Sequence, residues 1–234
     1  MRHLKGSNDM KVLILSVWMM AVILVMVFLY PLVAVQLSPA VNLIISVLWW
    51  YVLLIPIVFF MRRDNEKPRD IGFTKEQFPK QLLCGVLIAI ATVAVFSMAI
   101  PLLLGVSTWN YSGFAGFNVL LLLYSIVAQI ITVGIVEEVA FRGYMFKKLQ
   151  DSHSTWIAIA ITAIIFGAKH IPSFIIAGAA LPLWGGWYSV LMATLIGVVY
   201  GILRAKGATM VTLIFAHALH NAAAAAILGV FLNW

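Results

Sequence analysis

Two acidic residues interrupt a long apolar run, and their types and spacing suggest proton transfer. Glu137 and Glu138 lie in the run 118–146, and Arg142 follows four residues after Glu138. On an α-helix Glu138 and Arg142 share a face and form an ion pair, whereas Glu137 is rotated from Glu138 by about 100°. One carboxylate is then neutralised while the other serves as a general base. The alternative is that both carboxylates solvate a helix end near the membrane surface.

Histidines in two further apolar runs add a second kind of chemistry. His217 is followed after four residues by Asn221, so the two side chains share a helical face. An imidazole and an amide on one face can donate two hydrogen bonds to one oxygen, as in an oxyanion hole. The pair equally suits hydrogen bonding between packed helices, and His170 alone suits a membrane interface. His220, which is adjacent to Asn221, is assigned no role.

The composition indicates that these groups lie within a membrane. Of the 234 residues, 64% are apolar and only 10% are charged, with a mean hydropathy of +1.07. Soluble domains carry about 25% charged residues, so the composition excludes a cytosolic enzyme, a disordered chain and a secreted module. We expect an all-α polytopic membrane protein with spans of about 20 residues.

The apolar runs predict about seven, at most eight, transmembrane helices around an active-site cavity in the bundle. We expect one integral membrane domain, 1–234, with a mixed-charge cytoplasmic loop at about 62–80. The segment 171–187 is apolar but contains prolines and glycines, so it is predicted to re-enter the membrane or cap a cavity. The predicted runs are 12–35, 40–61, 81–105, 118–146, 154–170, 187–203 and 208–232.

The basic residues predict the orientation of the chain. All of the 15 Lys and Arg residues except Lys169 fall on one side of the predicted topology, which is expected to be cytoplasmic. The N-terminus is therefore predicted to be cytoplasmic and the C-terminus extracytoplasmic. The short, heavily apolar chain favours a bacterial cell membrane. This distribution accounts for the net charge of +7, so we expect the lipid bilayer and no nucleic acid as a partner.

Three short motifs occur in order on three predicted spans. They are EExxxR at 137–142, FxxxH at 166–170 and HxxxN at 217–221. Together they resemble the motifs of the CPBP intramembrane proteases, the family of CAAX-processing endopeptidases and bacterial bacteriocin-immunity proteins. The motif-bearing core covers about 118–225. The sequence has no HExxH, GxGD or GxSG motif, which other membrane protease chemistries require.

The resemblance implies an intramembrane endopeptidase with assigned residues. Glu137 and His170 would activate the attacking water, and His217 and Asn221 would stabilise the oxyanion. Glu138 and Arg142 would support them, although the residues alone do not decide which glutamate is the base. The substrate implied is a membrane-associated peptide or protein, either lipidated or of bacteriocin or signal type.

No cofactor is required by the sequence, and the family is often classed with metalloproteases. A divalent metal such as zinc, if bound, would use Glu137, His170 and His217 as ligands with an open position. Hydrolysis without a metal is the favoured interpretation of this minimal ligand set.

Two other functions fit the same residues. A non-catalytic immunity protein would keep the fold and sequester a peptide. An ion-coupled transporter would use buried Glu and His as an ion path, but it predicts pseudo-symmetric halves that the sequence does not show. The oligomeric state is not predicted.

Overall fold

The computed structural model describes residues 2–103, 119–172, 175 and 183–227. It is 86% helical, and no strand occurs in those ranges, so the all-α prediction is confirmed. The α-helices are α1 Arg2–Leu24, α2 Tyr30–Ala34, α3 Pro39–Val52, α4 Ile55–Arg63, α5 Phe78–Thr92, α6 Ile100–Leu103, α7 Val119–Gln129, α8 Ile135–Glu138, α9 Phe146–Gln150, α10 Thr155–Ala168, α11 Leu183–Ala205 and α12 Met210–Ile227.

Many of these helices join into longer ones that suit a bilayer. Among the described residues, four continuous helices are long and apolar enough to cross a membrane, and three shorter apolar helices accompany them. Each of the seven overlaps one predicted run, which confirms a polytopic membrane protein. Most of segment 171–187 lies outside the described residues, so its re-entry stays a prediction, as do the orientation and the single domain. The long helices are Gly6–Ala34, Val41–Arg63, Phe78–Leu103 and Leu122–Gln150, and the shorter ones are Thr155–Ala168, Ser189–Ala205 and Met210–Ala224.

Serine side chains fix the start of two helices. The Ser38 hydroxyl accepts a hydrogen bond from the backbone N–H of Val41, and that of Ser154 accepts one from Ile157. Such caps satisfy N–H groups that the first turn of a helix leaves without a partner. The helix that ends in the FxxxH motif therefore has a start defined by its own sequence.

In the part of the chain that the structure describes, π-helical segments interrupt the long helices at Val25–Leu29, Val93–Ala99, Ile130–Gly134 and Val139–Met145. In a π-helix each N–H bonds to the fifth preceding carbonyl, which changes the direction in which later side chains point. The last two segments flank α8, the four-residue helix that carries Glu137 and Glu138. The four-residue spacing that predicted a Glu138–Arg142 pair therefore does not describe a regular α-helical turn here.

The chain forms two compact units. Unit 1 comprises Met1–Gly72 and Val139–Gly207, and unit 2 comprises Phe73–Glu138 and Ala208–Trp234. Within unit 1, α10 packs along α11, where a Cβ at Gly197 would lie 3.0 Å from the Cα of Ala163. Small residues allow this close approach between helices in a membrane.

Within unit 2, α12 packs along α5 and α7. Polar groups fix the contact with α5: the Gln81 side-chain oxygen accepts a hydrogen bond from Thr209 at 2.6 Å, and its carbonyl accepts one from Thr212 at 3.1 Å. A Cβ at Gly85 would lie 2.9 Å from the Cβ of Phe215, so the glycine is needed for this approach. These contacts hold α12, which carries the HxxxN motif, in a defined position within the unit.

Candidate active site

Two carboxylates and one imidazole of the predicted site meet inside unit 2. Glu137 and Glu138 at the end of α8 are 2% and 0% exposed, and His217 on α12 is 5% exposed. His217 Nδ1 lies 2.7 Å from Glu138 Oε1, and its Nε2 lies 3.9 Å from Glu137 Oε2. Ionisable groups buried to this degree are costly in a membrane protein, and such positions are commonly functional. The structure thus brings together residues from two motifs that are 79 positions apart.

The two ring nitrogens of His217 have different surroundings. Nδ1 is within hydrogen-bonding distance of Glu138, whereas Nε2 faces the side of Glu137. A carboxylate that accepts a hydrogen bond from Nδ1–H fixes the plane of the imidazole and the direction of Nε2. Glu138 is therefore placed to orient His217, and any chemistry of this ring is directed through Nε2.

Asn221 lies one turn beyond His217 on α12 and contacts a residue that the sequence analysis did not single out. Its Nδ2 donates a hydrogen bond to Gln129 Oε1 at 3.2 Å. Gln129 is the last residue of α7 and is one of few polar residues in its apolar run. Its amide within an apolar span is the one available signal in the sequence, although that signal does not separate a functional contact from packing.

His220 is also held by a residue of unit 2. Thr92 Oγ1 donates its proton to the carbonyl of Ala89 at 3.1 Å, so it accepts a hydrogen bond from His220 Nδ1 at 3.0 Å. His217, His220 and Asn221 of α12 therefore have partners on three different helices of the unit. The partners are Glu138 of α8, Thr92 of α5 and Gln129 of α7.

His170 belongs to unit 1, just beyond the end of α10. Its Nδ1 lies 2.9 Å from the carbonyl oxygen of Phe166, and the two rings meet edge to face at 5.5 Å. Because a carbonyl only accepts hydrogen bonds, Nδ1 carries a proton, and the neutral ring has its lone pair at Nε2. This is the tautomer that can take a proton from water. The four-residue spacing of the FxxxH motif thus lets Phe166 hold the ring of His170 in one orientation, through its carbonyl oxygen and its own ring.

Arg142 lies in unit 1 and is surrounded by aromatic rings. Its side chain is 1% exposed, with the guanidinium carbon 4.2 Å from the ring centre of Phe166 and 5.5 Å from that of Tyr200. Cations over aromatic faces are stabilised by the ring quadrupole, most strongly where water is excluded. Arg204 Nε also donates a hydrogen bond to the Arg142 carbonyl at 3.1 Å, which fixes the backbone at this position.

The structure thus groups four of the six predicted residues, Glu137, Glu138, His217 and Asn221, in unit 2. His170 and Arg142 belong to unit 1, where each has a defined environment. The predicted pairing of Glu138 with Arg142, and the shared task of Glu137 and His170, stay predictions.

The predicted metal ligands are divided between the two units, His170 in unit 1 and Glu137 and His217 in unit 2. In the part of the chain that the structure describes, no group of three or more His, Cys, Asp or Glu side chains is arranged to hold a metal ion. The use of Glu137, His170 and His217 as metal ligands stays a prediction. The mechanism proposed below uses protein groups and water.

The fold and these buried groups together define a class: a polytopic helical membrane protein with acid–base and hydrogen-bonding groups within its spans. Residues 118–223 match the family described as Rce1-like, type II CAAX prenyl endopeptidases. The matched range contains all three motifs and bears out the predicted resemblance to CAAX proteases. It supports a membrane endopeptidase of CAAX type in general. Among curated proteins and among solved structures, nothing matches the chain.

Proposed function

We propose that this protein is an intramembrane endopeptidase that hydrolyses a peptide bond of a membrane-associated peptide or protein. The observation that carries the proposal is the buried cluster of Glu137, Glu138 and His217 within the range that matches the endopeptidase family. Substrates of the lipidated, bacteriocin or signal type suit an active site reached from the bilayer. The membrane is that of a bacterial cell, with the N-terminus cytoplasmic and the C-terminus extracytoplasmic.

In the proposed reaction, Glu137 and His170 remove a proton from a water molecule, whose oxygen attacks the scissile carbonyl carbon. His170 accepts at Nε2, because its Nδ1 donates to the Phe166 carbonyl. The carbonyl oxygen becomes an oxyanion, which receives hydrogen bonds from His217 and Asn221. The proton taken from water passes to the leaving nitrogen and the C–N bond breaks. The new carboxylic acid gives its remaining proton to the released amine, so the products are a carboxylate and an ammonium group.

The proposed role of His217, donation to the oxyanion, requires a hydrogen on its Nε2. Its Nδ1 faces Glu138, so only Nε2 can donate to the oxyanion. Glu138 is therefore a positioning residue in this proposal. Arg142 has a supporting role for α8, the helix that precedes it in the chain.

The test compares the purified wild type with Glu137→Gln and His217→Ala on a library of lipid-anchored and membrane-spanning peptides, with cleavage detected by mass spectrometry. Both variants are expected to lose at least about 100-fold in kcat, because they remove a general base and an oxyanion donor. His220→Ala is the matched control, since it is the same substitution on the same helix at a residue of similar exposure, 6% against 5%. It is expected to lose less than about tenfold.

Each result separates the candidate functions. Equal cleavage by the wild type and by folded Glu137→Gln and His217→Ala contradicts the catalytic assignment. Binding of a peptide without cleavage, unchanged in both variants, favours a sequestering immunity protein. An ion flux through reconstituted vesicles without cleavage favours a transporter.

A further inference from the structure

Asn221 has to present its N–H groups, not its carbonyl oxygen, if it contributes to the proposed oxyanion hole. A side-chain amide has donors at one end and an acceptor at the other, and a half-turn about its last bond exchanges them. The wrong orientation would place a carbonyl oxygen against the developing negative charge. A neighbouring group must therefore fix this amide before the substrate arrives.

Gln129 meets this requirement. Its Oε1 is an acceptor only and lies 3.2 Å from Asn221 Nδ2, so it fixes the amino end of the Asn221 amide. The amino group has two hydrogens, and Gln129 takes one of them. Asn221 is only partly buried, and its second N–H is not used by Gln129.

Close packing of the two helical segments holds Gln129 in place. Gly134 lies five residues after Gln129, and a Cβ there would be 3.1 Å from both the Gln129 and the Ile214 carbonyl oxygens and 3.4 Å from the Ala218 Cβ. Ile214, Ala218 and Asn221 follow at spacings of four and three residues and so share one face of α12. The contact between Gln129 and Asn221 therefore continues an interface in which Gly134 lies directly against α12.

We infer that Gln129 is a positioning residue that orients the Asn221 amide and thereby directs its second N–H at the oxyanion. The inference rests on the proposed function, since it assigns a role within the same site. A bond that only packs α7 against α12 would stabilise the fold without affecting the chemical step. The two roles predict different results when the Gln129 acceptor is removed. Loss of a positioning residue lowers kcat, whereas loss of a residue that only packs the helices lowers stability and leaves kcat unchanged.

The experiment measures kcat and KM of the full-length protein for Gln129→Met, Asn221→Ala and the double variant, using a peptide that the wild type cleaves. Gln129→Met keeps the length of the side chain and removes the amide acceptor. We expect kcat to fall about tenfold, with KM within about a factor of two, because orientation matters only in the transition state. In the Asn221→Ala background, Gln129→Met is expected to have no further effect.

Two further variants separate orientation from folding. Thr92→Val removes the hydrogen bond to His220, the residue before Asn221 on the same helix, and is expected to leave kcat within about a factor of three. Gln129→Glu keeps an acceptor oxygen at the same length and is expected to retain a higher kcat than Gln129→Met. It also serves if Gln129→Met does not fold, as judged by thermal unfolding.

Several outcomes would overturn the inference. They are a wild-type kcat in Gln129→Met, an equal loss in Thr92→Val, or a loss in the double variant equal to the product of the two single losses. In all three, a slow Asn221→Ala variant leaves the proposed function intact. If the wild type cleaves and Asn221→Ala cleaves equally fast, the proposed oxyanion hole itself is wrong.

Discussion

Glu137 and Glu138 are neighbours in the chain, yet their surroundings differ. Glu138 has no exposed surface and lies 2.7 Å from His217 Nδ1, whereas the nearest His217 nitrogen to Glu137 Oε2 is 3.9 Å away. A carboxylate engaged with an imidazole in this way is suited to orient the ring. This geometry supports Glu137 as the proposed base, a choice that the two residue types alone left open.

At the residue scale we predict that Glu138→Gln is less harmful than Glu137→Gln. The amide introduced by Glu138→Gln would keep an oxygen that accepts from His217 Nδ1–H, and only the negative charge would be lost. We expect kcat to fall about 10–100-fold, against at least about 100-fold for Glu137→Gln. Single-turnover cleavage of one peptide measures both. A larger loss in Glu138→Gln would reverse the assignment of the two carboxylates.

Residues of the candidate site stand out in the sequence where they carry charge or an imidazole, because such groups are rare within apolar runs. Gln129 was not predicted, because an uncharged amide in a span has no pattern that separates a functional contact from packing. The pairing of Glu138 with His217 was also not predictable, since it depends on how α8 and α12 pack within unit 2.

At the scale of elements, the packing of α7, α8 and α12 depends on Gly134, a residue without a side chain. Gly134 ends the π-helical segment between α7 and α8 and lies against Ile214 and Ala218 of α12. The apolar runs predicted the helices themselves, because hydrophobic length determines a span. They did not predict the π-helical segments, whose altered hydrogen bonding leaves no clear periodicity in a uniformly apolar run.

We predict that Gly134→Ala lowers activity and stability together. The added methyl group would lie 3.1 Å from the Gln129 and Ile214 carbonyl oxygens, so α12 would have to shift by a few tenths of an ångström. We expect a loss of about 1–3 kcal/mol in the free energy of unfolding, and a fall in kcat of about tenfold or more. Thermal unfolding and kcat are the two measurements.

Gly6→Ala is the matched control for this prediction, because a Cβ at Gly6 would have no neighbour within 4 Å. Gly6 lies within α1, so alanine there is expected to be neutral or to stabilise by about 0.5–1 kcal/mol. An unchanged kcat in Gly134→Ala would show that the interface can relax without moving the site.

At the scale of the molecule, unit 1 is tied together by an ion network among segments distant in sequence. Asp64, just after α4, lies 2.6 Å from Lys11 Nζ and 2.9 Å from Lys148 Nζ. Glu66 contacts Lys148 at 3.0 Å and Lys147 at 3.1 Å. The sequence predicted these charges near the cytoplasmic surface, but it contained no signal for which acid pairs with which base.

The network predicts a loss of stability in acid. Burial raises the pKa of Asp64, but hydrogen bonds and charge from Lys11 and Lys148 outweigh it and hold this pKa below its usual value of 3.8. A carboxyl group with a lowered pKa in the folded state stabilises that state fully above its unfolded-state pKa. The contribution is lost as the pH falls through the folded-state pKa.

We therefore expect Asp64→Asn to lower the free energy of unfolding near neutral pH by on the order of 1 kcal/mol, since the Asp64 side chain is 21% exposed. The difference from the wild type should shrink below about pH 4 and vanish once Asp64 is protonated. Thermal unfolding in detergent over this pH range measures it. Glu76→Gln is the control, because Glu76 is exposed and has no ion pair among the described residues. A pH-independent difference would contradict the role of the Asp64 charge.

Because the chain is synthesised from its N-terminus, the residues of the candidate site in unit 2 are made at different times. Glu138 leaves the ribosome 79 residues before His217, which corresponds to about 4–16 s of translation. During this interval Glu137 and Glu138 are in place without the imidazole that they meet in the folded unit. The proposed protease therefore has no complete site until α12 has been inserted, and the last helix to be made completes it.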